Sequence, residues 1–289
     1  MPRTDRAGDE PAVMSEVLRA LAVLLEAPAA EHAAIAAALE LPAPPAADEH
    51  TDTLVFQAYP YASVYLGSEG MLGGEARDRI AGFWRALGGE PPGEPDHLSV
   101  LLAGLAALAE EPRPVRGALF WEHIASWMPP YLAALGRIGA PFHAAWAALA
   151  GEVCRELAGE LGPPPREPLA LRAAPGLPRE PRDGDELLAA LLAPARIGAV
   201  VVRDDLARAA ADLGLGLRAG ERRFALRALL GEAPTAVLRW LAAEARRQAD
   251  ALVDLPPVTA WWAARARAAA HWLDELATAA AHTPHPAAG

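Results

Sequence analysis

The chain has 289 residues, 53% of them hydrophobic and 22% charged, with a formal net charge of −11. That length and apolar content suffice for one sizeable core or two small ones, and they exclude disorder throughout. All 26 basic residues are arginine, so a P-loop lysine is impossible, and the single cysteine, Cys154, excludes an intramolecular disulfide or a Cys-rich metal module.

The acidic balance argues against binding nucleic acid over the whole surface. Ala, Leu, Arg and Glu dominate and β-branched residues are sparse outside 200–202, which favours an all-α fold. No apolar stretch approaches the ~20 residues of a membrane span, and the first residues lack a signal-peptide core. The expectation is a soluble chain that stays in the cytoplasm.

In chain order, residues 1–11 read as a polar tail, with Pro11 suited to a first helical turn. Val13, Val17, Leu18, Leu21, Leu24 and Leu25 then recur at helical spacing. A second helix is expected over 31–41, stopped by Pro42, Pro44 and Pro45. Residues 53–66, rich in aromatic and β-branched side chains around Pro60, predict a short helix within an irregular segment. After a Gly-rich loop at 67–74, Ile80, Phe83, Trp84 and Leu87 mark a helix ending at Gly88.

Glu94-Pro95-Asp96-His97 opens the next helix, with Leu98, Leu101, Leu102, Leu105 and Leu108 on its face. Phe120, Ile124 and Trp127 mark another. The last helical stretch of this half spans 131–161, broken near Gly139 and Pro141. Seven prolines between 163 and 181 predict an extended linker, placed at 163–185. The chain thus divides into a helical domain over 12–162, the linker, a second helical unit over 186–281 and a tail at 282–289.

Chemical motifs are few. Gly214, Gly216 and Gly220 lack dinucleotide-loop spacing and read as a turn between helices. No serine lies in a nucleophile elbow, and no His-Glu-x-x-His site is present. His97, His123 and His143 read as structural or groove residues.

Over 201–250, nine arginines face seven acidic residues, whereas 1–200 carry a net −12. The Arg-rich unit admits two readings: salt bridges on a solvated face, or a DNA-binding regulator with Arg222 and Arg223 entering a groove. The strongest constellation is aromatic: Tyr59, Tyr61, Tyr65, Phe83, Trp84, Trp121 and Trp127, with Asp96 and His97 at a helix start. Such residues either fill a bundle core or line a groove for an apolar helical peptide, while acidic surroundings attract a basic one.

Four ordered elements carry a resemblance. These are Tyr61-Ala-Ser63-Val-Tyr65-Leu, then Phe83-Trp84-Arg-Ala-Leu-Gly88, then Glu94-Pro95-Asp96-His97-Leu98, and Phe120-Trp-Glu-His123-Ile-Ala-Ser-Trp127. Across about residues 12–162 the chain resembles the TorD/DmsD-type redox-enzyme maturation chaperones. The resemblance implies an all-α, non-catalytic cytoplasmic chaperone. Its partner would be the apo-form of a molybdopterin oxidoreductase catalytic subunit, bound through a twin-arginine leader and held until the molybdopterin cofactor is inserted.

The chaperone itself would keep no permanent cofactor or metal. The implied client-binding residues are Glu94, Pro95, Asp96 and His97, with Trp84, Tyr61, Tyr65, His123 and Trp127 around them; Asp96 is expected to meet a client arginine or to orient His97. The resemblance does not cover the second helical unit, and the linker leaves a homodimer by domain exchange open.

Overall fold

The computed structural model describes residues 10–138 and 140–282. Of the tails expected at 1–11 and 282–289, residues 1–9 and 283–289 lie outside the described residues, as does Gly139, whereas residues 10–11 open the first helix and His282 closes the last. The break expected near Gly139 and Pro141 falls between a helix that ends at Arg137 and one that starts at Pro141. Among those described, the fold is all-α: helices and two π-helical turns, without a strand.

Helix α1 (Glu10–Val23) begins with Pro11 in its first turn and packs against α6 (Leu98–Ala107). Between them lie α2 (His32–Ala38), α3 (Ala47–Thr51), α4 (Ala62–Leu66) and α5 (Glu75–Ala86). The segment read as irregular is a π-turn at Asp52–Gln57, an extended break through Pro60, and the five-residue α4, every residue of which is buried. Pro60 cannot continue a helix, which divides the two pieces.

Helix α7 (Arg113–Ala118) runs into a second π-turn, Leu119–Ala125. Pro129 and Pro130 then stand in the first turn of α8 (Met128–Arg137), where missing N–H groups are tolerated, so they start a helix as well as ending one. Helix α9 (Pro141–Leu161) packs on α8.

The Pro-rich stretch is not a bare tether. Its Leu169–Arg172 forms one helical turn, α10, that buries Ala170 and Leu171 in the core of the first half. Pro168 precedes the turn as Pro does at helix starts, and Ala170 and Leu171 give it something to bury, while Leu169 stays exposed. Beyond come α11 (Gly184–Leu191), α12 (Pro194–Ile197), α13 (Arg203–Leu213), α14 (Arg222–Glu232), α15 (Pro234–Asp250) and α16 (Val258–His282), the last two lying along one another. Gly214 ends α13 in the left-handed region, as a turn between helices requires.

The main core runs across the Pro-rich stretch. It joins Phe120, Trp127, Tyr131 and Trp146 to Val200, Val202, Leu255, Val258 and Trp262. Trp262 is fully buried and donates its indole N–H to the Ser126 carbonyl at 2.8 Å. Arg137, at the end of α8, reaches the second half: Nη2 lies 3.1 Å from Asp205 Oδ2 and 3.1 Å from the Val200 carbonyl, and Nε lies 3.5 Å from Glu244 Oε1. A second core, built on Leu206, Leu226, Leu229, Val237 and Leu241, fills the space within 188–277. The run 200–202 is extended and buried, and contributes Val200 and Val202 to one core and Val201 to the other.

Candidate functional site

The start of α6 is fixed by pairing with the start of α4. Leu98 N–H donates to the Pro60 carbonyl at 2.8 Å, Ala62 N–H donates to the Asp96 carbonyl at 3.0 Å, and Tyr61 and His97 form an isolated antiparallel bridge. The Asp96 carboxylate accepts the Ser63 N–H at 3.2 Å and lies 4.0 Å from Arg77 Nε. Asp96 is only 2% exposed. It therefore fixes the α4–α6 junction rather than meeting solvent, and Pro95 beside it is also buried.

Of its neighbours, Glu94 is exposed, Tyr61 is half-buried and His97 is buried. Tyr61 donates its hydroxyl to Glu94 Oε2 at 2.9 Å, and its ring meets the His97 ring edge-on with centroids 4.7 Å apart. Burial and then Glu94 push the Tyr61 phenol up to about 12. His97 caps α6, with Nδ1 accepting the Ser99 N–H at 3.3 Å and lying 2.6 Å from Ser99 Oγ. The Ser99 hydroxyl donates to Glu26, whose side chain is 59% exposed and comes within 4.0 Å of His97 Nδ1. Burial pulls the His97 imidazole below its ordinary value, against the pull of Glu26, Glu94 and Asp96.

Two carboxylates, Glu94 and Glu26, thus flank an aromatic pair. Glu26 carries no motif: it follows α1 in sequence and reaches the site only because α1 packs on α6. The pattern of charges on α6 could not have revealed it.

The other expected site residues separate from this group. Tyr65 (1% exposed) and Trp127 (0%) stack with ring centroids 5.1 Å apart inside the core, and Tyr131 meets both. The Trp127 indole donates to the His123 carbonyl at 2.8 Å. Both are core residues and do not meet solvent. Phe83, Trp84 and His123 form a partly buried aromatic group of their own, with Phe83 centroids 5.6 Å from Trp84 and 5.3 Å from His123. Trp84 lies against Gly104, where a Cβ would come 2.6 Å from its ring. Burial, then Arg79, pulls the His123 imidazole down to about 4.

A third feature lies at the other end of α4. An open cleft of about 340 Å3 is bounded by the 67–74 loop, the start of α5 and the Pro-rich stretch at 170–175.

In the second half, the arginines read as candidate DNA contacts are engaged with the protein. Arg222 donates to the Val201 carbonyl at 2.9 Å, and burial pulls its pKa down. Arg223 and Arg227 pair with Asp185, Arg208 with Asp205 and Glu244, Arg247 with Glu244, and Arg246 with Asp274. This is the salt-bridged arrangement. Among the described residues no cluster of His, Cys, Asp and Glu is arranged to hold a metal ion, and no helix is long and apolar enough to cross a membrane.

No curated protein and no solved structure matches the chain. Residues 14–133 match the profile of the family described as nitrate reductase delta subunit, and that stretch holds every expected site residue together with Glu26. Over those residues the chain is similar to a family of chaperones that act in molybdoenzyme maturation.

Proposed function

We propose that this chain is a cytoplasmic maturation chaperone that binds the apo-form of a molybdopterin oxidoreductase catalytic subunit through its twin-arginine leader and holds it until the cofactor is inserted. The observation that carries this reading is the pair of exposed carboxylates, Glu94 and Glu26, on either side of the Tyr61–His97 ring pair, within the stretch similar to the maturation chaperones.

A guanidinium is planar, always charged and able to bond a carboxylate through two N–H groups, and it packs well on an aromatic ring. Glu94 and Glu26 are the groups that receive it. Tyr61 and His97 form the wall, while Asp96 and Pro95 hold the loop that presents Glu94. Trp84 and His123 flank the surface, and Tyr65 and Trp127 are core residues. The net −12 of residues 1–200 draws a cationic peptide toward this half and raises the encounter rate more than the affinity. The function is binding, without a chemical step.

Co-expression with a molybdopterin oxidoreductase catalytic subunit in cofactor-deficient cells tests the reading. The expected result is a complex of this chain with the apo-subunit that is lost when the leader's two arginines become glutamines. Failure to form any complex with such subunits, with or without the leader, would overturn it.

A further inference from the structure

Among the described residues of 186–281, the exposed large apolar side chains are Leu217 and Phe224, 37% and 51% exposed. Both stand at one junction, the 214–221 loop and the first turn of α14. The inward face of α14 is taken up by the second core, where Ala225, Leu226 and Leu229 are buried. Its outward face carries Arg223, Phe224 and Arg227, so a bare phenyl ring stands where a solvated helix face is ordinarily polar. The surroundings leave room for a partner: a Cβ on Gly231 would meet nothing within 4 Å, and one on Gly220 would meet the Phe224 ring at 3.5 Å.

The charges at this face have the sign opposite to that of the whole molecule. Residues 214–232 hold four arginines and two glutamates in a chain of net −11. Arg222 turns inward to the Val201 carbonyl and anchors the helix. Arg223 and Arg227 share one carboxylate, that of Asp185, which Arg223 Nη2 reaches at 3.0 Å and whose side chain is itself 67% exposed. A guanidinium has five N–H donors, so one aspartate leaves most of both forks unused. Asp185 thus marks the place and the chemistry of a carboxylate on this face, and Arg218 adds a further cation on the exposed loop.

We infer that this face docks an acidic protein segment, one that sets carboxylates on Arg218, Arg223 and Arg227 and an apolar side chain on Phe224 and Leu217. An exposed aromatic ring among arginines is the composition that interface centres favour. A phosphate backbone is a poorer match. It needs a run of free cations, whereas Asp185 sits between two of these arginines, and a chain of net −11 repels a polyanion at long range. A short segment with a few carboxylates and an apolar residue meets neither obstacle. The inference stands apart from the leader-binding reading, because its residues lie outside 14–133 and its ligand carries the opposite charge.

The test uses the full-length chain and a short fluorescent peptide carrying two Asp-Glu pairs around a central Leu-Phe, with a control peptide that has Asn-Gln in place of each pair. The acidic peptide is expected to bind, more weakly as salt is raised, and the control to bind less. Arg223→Gln with Arg227→Gln should weaken the acidic peptide by about fivefold or more and Phe224→Ser by about tenfold, the scales of lost exposed ion pairs and of a lost aromatic anchor. All three side chains are exposed, so melting temperatures should hold. Glu26→Gln with Glu94→Gln should bind the acidic peptide as wild type does. No binding of that peptide to wild type, equal binding of the two peptides, or equal affinity of wild type and both variants would overturn the inference. So would binding of a DNA duplex or of phosphatidylglycerol vesicles that the arginine variant loses while the acidic peptide does not bind.

Discussion

Tyr61 and Glu94, 33 residues apart in sequence, are joined by a 2.9 Å hydrogen bond from the phenol to the carboxylate. The bond holds Glu94 in one orientation at the surface while leaving its other oxygen open to a cationic partner. Tyr61→Phe removes it and keeps the ring. The loss of stability should be below about 1 kcal/mol, because the bond is solvent-exposed. Affinity for an arginine-bearing peptide should fall a few-fold as Glu94 loses its orientation, which fluorescence anisotropy would read.

Asp96→Ala should behave in the opposite way. The Asp96 carboxylate is buried on the Ser63 N–H, and its removal leaves a buried donor without its acceptor. Chemical denaturation should show a loss of about 1–3 kcal/mol. Glu94→Gln, in contrast, should leave the denaturation midpoint nearly unchanged. A stable Asp96→Ala variant with unchanged midpoint would contradict the junction role.

His143 gives a pH dependence with a definite sign. It is buried beside His50 with ring centroids 6.1 Å apart, and neither of its ring nitrogens has a hydrogen-bond partner. Burial, then His50, holds its imidazole at about 4, below the ordinary 6.5. The unfolded chain therefore takes up a proton that the folded chain refuses. The stability this represents is complete above about pH 6.5 and is lost as pH falls toward 4. His143→Leu should make the stability profile shallower between pH 6.5 and 5, above the range where most carboxylates titrate, with the slope that remains due to the other buried imidazoles such as His123, as measured by thermal melts at stepped pH.

Trp262 links the two halves through the Ser126 carbonyl and through full burial in the main core. Trp262→Ala should cost about 3–5 kcal/mol. Because the main core spans both sides of the Pro-rich stretch, the chain should unfold in one transition followed equally by probes in either half. Two separate transitions would mean that residues 186–281 stand as an independent unit.

The sequence made the helices legible where periodicity and Pro or Gly punctuation agreed, as from Leu98 to Leu108 and from Glu75 to Gly88. It also brought Glu94, Pro95, Asp96 and His97 to one place. It could not tell which carboxylate of that run faces water, because the answer depends on the Ser63 N–H 33 residues away. Glu26 was invisible for the same reason. Tyr65 and Trp127 share the aromatic character of Tyr61 and Trp84, and only packing separates a core ring from a surface ring. The Pro-rich stretch looks unable to pack in sequence, yet Ala170 and Leu171 behind Pro168 are enough to bury one turn.

The role proposed for Glu94 and Glu26 is to receive the arginines of a client leader. Its most direct test is titration of the full-length chain, wild type and Glu26→Gln with Glu94→Gln, with a peptide carrying two adjacent arginines and an apolar stretch. Wild-type binding should weaken with salt, and the double variant should lose about tenfold or more in affinity with its melting temperature retained. Equal affinity of the two proteins at low salt would contradict it.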